Sequence, residues 1–265
     1  MIARADTPAR AAQFDFACRG VPCLEALLPL ERALFGPSQP GRFYTGPGLA
    51  LDVGGPEALA ACRPGGSPDP PDPEELAAFL AFCGCGALVC GGGGARPAGW
   101  RLAETLPCFA LAAGASLPQP AADEELWAAL TLEEEPAPSA LARFLYPAGG
   151  LPRDDYYSAL CTKRSRGLAR AWALKDAAGQ VVCTVGAYAI RDGQAYLACG
   201  CTAPALRGRG AGGRLIAAAA GALAAEGLRV CLYCREERAA FYTRLGFAPA
   251  GALARCLPPD AAGEK

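Results

Sequence analysis

The segment Thr202-Ala203-Pro204-Ala205-Leu206-Arg207-Gly208-Arg209-Gly210-Ala211-Gly212-Gly213-Arg214-Leu215-Ile216 restricts the fold more than any other. The apolar run Ala195 to Cys201 leads into it, and the Ala/Leu run Leu215 to Ala225 leads out. It therefore reads as strand, Gly-rich turn and helix. Glycines at 208, 210, 212 and 213 leave backbone N–H groups unshielded at a helix start. Bare amides at the positive end of the helix dipole make an anion site. Arg207, Arg209 and Arg214 add positive charge, so the expected guest is a phosphate or pyrophosphate. No Lys follows the glycines, so this is not a P-loop. Gly227 to Leu232, about twenty residues on, holds no acidic residue of the kind a dinucleotide fold places there.

Composition limits the chemistry that can accompany this loop. The 265-residue chain has no histidine and no asparagine, and lysine stands only at 163, 175 and 265. That excludes a Ser-His-Asp triad, a Cys-His dyad and any His-based metal site. Most of the fourteen cysteines sit in apolar runs such as Val182-Cys183-Thr184 and read as small, reduced core residues. Of the close pairs Cys83/Cys85, Cys199/Cys201 and Cys231/Cys234, only the last has CxxC spacing, half of what a structural zinc needs, so no metal is expected. A net charge of −1 argues against nucleic acid and anionic membrane as partners. No apolar stretch approaches the ~20 residues of a membrane span. Met1 to Asp6 lacks the apolar core of a signal peptide, so a cytoplasmic protein is expected.

Taken in order, Val21 to Phe35 has a helical period, Phe43-Tyr44 and Gly48 to Val53 look extended, and Ala58 to Cys62 comes next as a return strand. Arg63 to Asp72 is a Pro/Gly loop. Pro73 to Cys83 is a helix capped by Asp72, Ala87 to Cys90 a short strand, Gly91 to Gly94 a flexible loop, and Trp100 to Leu111 extended. Ala112 to Asp123 reads as a linker, Glu124 to Leu132 as a helix ended by Glu133-Glu134-Glu135, and Ser139 to Tyr146 and Arg153 to Lys163 as further helices. Three strands come after them, Leu168 to Leu174, Val181 to Ile190 and Gln194 to Thr202, the last two joined by the hairpin dipeptide Asp192-Gly193. After the loop's helix come Gly227 as C-cap, strand Arg229 to Tyr233, helix Glu236 to Leu245, closing strands in Phe247 to Leu257, and a tail from Pro258. The run of helix, Gly84, strand, Gly99-Trp100 and closing strand in the first half echoes helix, Gly227, strand, Gly246-Phe247 and closing strand in the second. The echo predicts two halves of one fold, with an anion loop only in the second.

The loop gains meaning from a second motif. Arg207, Gly210 and Gly212 fit Arg/Gln-x-x-Gly-x-Gly/Ala, preceded by Pro204. Downstream, Phe241-Tyr242-Thr243-Arg244-Leu245-Gly246-Phe247 fits a Tyr-x-x-Leu-Gly-Phe helix end. In this order, with a strand between and a hairpin ahead, the pair resembles the GCN5-related N-acetyltransferase (GNAT) superfamily over roughly residues 121 to 257.

The resemblance implies an α/β fold on a mixed sheet. Residues 1–111 form an N-terminal α/β domain, read as a degenerate GNAT-like copy, 112–122 a linker, 123–257 the GNAT domain and 258–265 a tail. It implies an acetyl-CoA-dependent N-acetyltransferase that acts by direct transfer on an amine of a small molecule or peptide. The amides of Arg209, Gly210, Ala211, Gly212 and Gly213, after Gly208, would hold the CoA pyrophosphate, and Arg207 or Arg214 would meet a phosphate. Family strands before the loop carry a bulge and splay from the next strand, which would set the backbone of Cys199, Gly200, Cys201 and Thr202 along the pantetheine arm. Tyr242 matches the family's general acid. Two departures stand: Gln194 to Thr202 has no Glu to act as base, and Arg235 occupies a place often held by Asn. The base is then water, a carboxylate from Glu133 to Glu135 or Asp154/Asp155, or none. Tyr156, Tyr157, Asp154 and Asp155 are either an acceptor rim or an ordinary amphipathic helix, and Trp172 and Tyr188 read as core. The rival reading is a non-catalytic acyl-CoA-binding regulatory module; RNA binding through Arg207 to Arg214 fits poorly with the charge and the lack of interleaved aromatics.

Overall fold

The computed structural model describes residues 1–63, 65, 71–92 and 96–259. The expected loop over 63–72, the flexible loop over 91–94 and the tail from 258 fall largely or partly outside them. The fold is mixed α/β, and the chain divides into two compact units. The first comprises Met1–Cys108 together with Tyr233–Ala239 and the described part of Pro249–Lys265; the second comprises Phe109–Leu232 and Ala240–Ala248.

The first unit starts with β1 (Ala3–Arg4), α1 (Pro8–Cys18) and α2 (Leu24–Phe35). Helix α1 has no counterpart in the sequence reading; Thr7 caps it, with the Arg10 amide donating to its hydroxyl, and Pro8 stands in its first turn. Then come β2 (Phe43–Gly46), β3 (Leu49–Asp52), β4 (Glu57–Cys62), α3 (Pro73–Phe82), β5 (Ala87–Gly91) and β6 (Arg101–Leu111). Strands β1 to β4 pair antiparallel in sequence order, and α3 crosses over to bring β5 parallel to β4. Strand alternation covers both faces. Phe43 meets Phe14 of α1 at 6.0 Å between ring centroids, while its neighbour Tyr44 points the other way, onto Phe79 of α3 at 4.7 Å.

The second unit holds α4 (Glu124–Ala128), β7 (Thr131–Glu134), α5 (Pro138–Leu145), α6 (Leu151–Arg164), β8 (Arg170–Lys175), β9 (Val181–Arg191), β10 (Gln194–Thr202), α7 (Ala211–Ala225), β11 (Arg229–Tyr233) and α8 (Ala239–Arg244); the chain's last strand is β12 (Ala248–Leu257). The acidic run expected to end a helix is instead an edge strand. α4 stops at Ala128, and Glu133 in β7 pairs with Lys175 at 2.6 Å across to β8. Strands β7 to β10 again pair antiparallel in order, and α7 crosses over to a parallel β11. Asp192 and Gly193 turn the β9–β10 hairpin with φ of +49° and +73°, as a type I′ turn requires.

Connection by connection, the two halves repeat: edge strand, two helices, three-stranded meander, crossover helix, parallel strand. The echoed glycines serve the same ends in both. Gly84 and Gly227 come directly after the crossover helices with φ of +72° and +85°, and Gly99 and Gly246 precede the closing strands with φ of +73° and +96°.

Strand β12 reads from the sequence as the closing strand of the C-terminal domain. It pairs instead antiparallel with β5, Ala254 opposite Cys90 and Cys256 opposite Leu88. Cys256 is fully buried in the first unit's core, among Leu49, Leu51, Leu76 and Leu88. A chain of residues 1–111 alone therefore lacks a strand of its own sheet. It is expected to show no cooperative thermal unfolding, whereas a version carrying residues 248–259 through a linker should show one. Calorimetry of the two chains checks this, and a cooperative transition in the shorter one would contradict it.

Candidate functional site

The site is built on β10 and on the turn and helix after it. β10 pairs with β11 only at Gln194, Ala195 and Tyr196, opposite Arg229, Val230 and Cys231. It then runs on from Leu197 to Thr202 with no β11 partner, so the two parallel strands part. On its other side β10 stays with β9, but irregularly. Ala198 pairs with Gly186 and Cys201 with Thr184, so Cys199 and Gly200 together oppose one residue. Cys199 takes a φ of +54°, unusual for a side chain with a Cβ. Bulge and splay thus place Cys199, Gly200, Cys201 and Thr202 on a stretch of β10 whose β11-facing edge is released from the sheet.

The chain leaves β10 through one 3₁₀ turn, Pro204–Leu206, and enters α7 at Gly210, whose φ of +82° is left-handed. Among the described residues, the amides of Gly208, Arg209 and Gly210 donate to no protein acceptor. Those of Ala211, Gly212 and Gly213 are the first-turn donors that any helix leaves unpaired. No side chain caps α7. The glycines are there for packing as well as exposure. A Cβ on Gly212 would lie 2.7 Å from Thr202 Oγ1, and one on Gly213 would lie 3.4 Å from Leu245 and 3.5 Å from Phe241. The second contact seats the first turn of α7 against Phe241 of α8 and Leu245, the chain neighbourhood of Tyr242. The Tyr242 ring is held edge-on by Phe241 at 5.0 Å and Phe247 at 6.0 Å, and tilted against Phe109 at 5.8 Å.

The three loop arginines separate into two roles. Arg209 donates to Asp123 Oδ2 from Nε and Nη2 at 2.9 and 2.6 Å, and Arg214 donates to both carboxylate oxygens of Glu124 at 3.0 Å while lying over the Trp127 ring. Among the described residues, Arg207 bonds only a backbone carbonyl, Thr202 O, at 3.0 Å through Nε. Arg214, which the sequence offered beside Arg207 as a phosphate partner, has its guanidinium paired with a carboxylate. Thr202 likewise has its carbonyl taken by Arg207 and its hydroxyl 3.1 Å from Cys183 Sγ.

Other expected groups lie elsewhere. Glu133 pairs with Lys175 and Glu135 with Arg164, both on the edge strand side. Asp154 and Asp155 are exposed. Tyr156 and Tyr157 do not share a face: Tyr157 is exposed, while Tyr156 turns inward, its hydroxyl 2.7 Å from that of Tyr188. Trp172 and Tyr188 are core, as expected. Arg235 belongs to the first unit, its side chain 72% exposed and 4.0 Å from Glu104.

A feature the sequence did not suggest surrounds the bulge. Tyr188 is the extra residue of an opposing bulge in β9, between Ala187 and Ala189. Its ring folds back over Gly186, where a Cβ would lie 2.7 Å from ring atoms. The Tyr188 hydroxyl there meets Tyr156 and Cys199. Burial raises the pKa of Cys199, although the Tyr188 hydrogen bond opposes it, and burial raises both tyrosines as well. All three hold their protons at neutral pH, so this network props the bulge and is no resting base.

A βαβ crossover whose parallel strands part beside an uncapped glycine helix start is the architecture of the GNAT class. Residues 167–249 match a family model described as an acetyltransferase (GNAT) domain. The fold is shared with a GCN5-related N-acetyltransferase from Kribbella flavida, at TM-score 0.56 and 19% identity over 83% of this chain and 90% of that one. It is shared with another from Sphaerobacter thermophilus, at TM-score 0.59 and 13% identity over 97% and 94%. A tandem GNAT protein from the clavulanic acid biosynthesis pathway matches at TM-score 0.50 and 15% identity over 81% and 77%. At these identities the likeness concerns fold. None of the curated proteins matches the chain. Among the described residues, no helix is long and apolar enough to cross a membrane.

The loop geometry separates its glycines. Gly208 has a φ of +77° and open space around it, so Gly208→Ala should cost only the ~1–2 kcal/mol of a left-handed residue. Gly210→Ala adds a collision with the Ala121 carbonyl oxygen and should cost clearly more. Urea denaturation compares them, and equal losses would mean that Ala121 gives way.

Proposed function

We propose that the protein is an acetyl-CoA-dependent N-acetyltransferase whose C-terminal half transfers the acetyl group directly to an amine of a small molecule or peptide. The observation that carries this reading is the parting of β10 from β11 next to the bare amides of α7. The open edge offers backbone partners to an extended amide-bearing arm, and the loop offers donors to its pyrophosphate. The amides of Arg209 to Gly213 take the pyrophosphate. Arg207 is the loop arginine placed to meet a phosphate, its Nη groups engaged by no carboxylate among the described residues. An amide of the Cys199–Thr202 stretch polarises the thioester carbonyl.

Aminolysis of a thioester needs a neutral amine and a proton for the departing thiolate. Tyr242 gives that proton from its phenol; phenols as a class, with pKa ~10, suit protonating a thiolate. No carboxylate is assigned as base: of those suggested by the sequence, Glu133 and Glu135 are ion-paired on the β7 side, Glu134 is exposed there, and Asp154 and Asp155 are exposed on α6. The amine therefore loses its proton to water or arrives neutral. Fourteen free cysteines suit a reducing, cytoplasmic setting.

The N-terminal half is proposed to bind no donor. β4 stays paired with β5 from Glu57 to Ala61, opposite Ala87 to Gly91, so no cleft opens there. Its crossover helix α3 begins with Asp72, Glu74 and Glu75, which repel a pyrophosphate.

Four measurements test this. Tyr242→Phe should lower kcat by about 10²–10⁴-fold with the acetyl-CoA Kd unchanged; undiminished turnover would remove the acid role. Arg207→Ala should weaken CoA binding by ~1.5–3 kcal/mol, the size of one charge-assisted hydrogen bond. Titration calorimetry should find one CoA per chain, and two would reject the closed N-terminal half. Thioester cleavage across an amine panel separates the enzyme from the rival acyl-CoA-binding module.

A further inference from the structure

The stretch between β6 and α4 reads from the sequence as a linker, yet its second half is fixed to the glycine after α8 and to the loop at the start of α7. Leu117 and Pro118 lie on Gly246, where a Cβ would be 3.0 Å from Pro118 and 3.2 Å from Leu117. The Gln119 side-chain carbonyl, in the amide orientation that satisfies both groups, accepts from Arg214 Nε at 2.9 Å. Ala121 and Ala122 press on Gly210, leaving no room for a Cβ there. The Asp123 amide donates to the Arg209 carbonyl at 3.0 Å, and the Asp123 carboxylate receives the Arg209 guanidinium. The same carboxylate caps α4 by accepting from the Leu126 amide at 2.9 Å. That backbone bond, ahead of Arg209, holds the Asp123 carboxyl below its usual range. Glu124 holds Arg214.

These contacts share a pattern. They engage the carbonyl and side chain of Arg209 and the side chain of Arg214, and they leave the amides from Gly208 to Gly213 without acceptors among the described residues. A loop with four glycines in six residues, left to itself, would sample both signs of φ and lose that freedom on binding an anion. We propose that residues 117–124 are a strap that holds the donor loop in its anion-receiving shape, with Asp123 and Glu124 as positioning residues acting through Arg209 and Arg214. The inference rests on the donor-site reading given above. It makes Arg209 and Arg214 supports of the loop rather than phosphate ligands.

The opposite arrangement makes the opposite forecast. If Asp123 competed with phosphate for Arg209, removing it would tighten CoA binding. The strap predicts that Asp123→Ala weakens CoA about tenfold, the scale of one charge-assisted hydrogen bond. Asp123→Asn, which keeps the cap, should weaken it less. Arg209→Ala should match Asp123→Ala, and the double variant should be no worse than either alone, because the two side chains act as one link. In steady state the effect should fall on the KM for acetyl-CoA and leave kcat and the acceptor KM unchanged, which a general loss of stability would not do. Calorimetric titration of the full chain with CoA decides. Additive losses, or unchanged or tighter binding by Asp123→Ala in a chain whose wild type binds CoA, would overturn the strap alone. A wild type that binds no CoA would overturn the donor reading and, with it, the strap's role.

Discussion

The hydrogen-bonded pairing of β10 with β11 ends at Tyr196, and the site depends on that ending. A parallel pair that continued would consume the backbone groups of β10 on one edge and leave a closed sheet. The break comes from the bulge. Two residues, Cys199 and Gly200, oppose one on β9, so β10 twists away from the register it shares with β11. Tyr188, folded over Gly186, fills the space behind the bulge and bonds Cys199. A substitution that gave Gly186 a side chain would push the ring off, so the open edge of β10 depends on a missing atom one strand away.

The same topology without that break is present in the first unit. β4 and β5 are joined by a crossover helix as β10 and β11 are, yet they remain paired for five residues of a six-residue strand. The helix after β4 begins with acidic residues instead of glycines and arginines. Two copies of one architecture thus differ at the two features on which the proposed binding of an anionic, extended ligand rests. The repeat explains the size of the chain better than a linker between unrelated domains, and β12, added to β5, shows that the first sheet is completed from the far end of the sequence.

Charge in the loop is smaller than its arginines imply. Asp123 and Glu124 neutralise two of the three guanidiniums, and the field at the start of α7 comes largely from backbone amides and the helix dipole. This suits a net charge near zero and a ligand recognised by shape and directed hydrogen bonds more than by bulk attraction.

The local motifs are legible because they are local. The strand, glycine turn and helix around Arg207 to Gly213 are contiguous, as is the Asp192-Gly193 hairpin; Gln194 to Thr202 and Arg229 to Tyr233 even have their bounds set by the apolar pattern. Helix α1 escapes a reading of periodicity because its apolar face is broken by Arg10 and Asp15, and β7 escapes it because three glutamates read as a helix end, whereas this edge strand faces water at Thr131, Leu132 and Glu134 and carries no alternating pattern to read. The sequence by itself determined that a glycine- and arginine-rich loop sits between a strand and a helix and that a tyrosine helix end comes after it. Only the tertiary structure decided that Asp123 and Glu124 hold Arg209 and Arg214, that Tyr156 turns inward to Tyr188, and that β12 joins β5. Each of these is a contact between residues far apart in the chain, set by packing that no window of neighbouring residues contains.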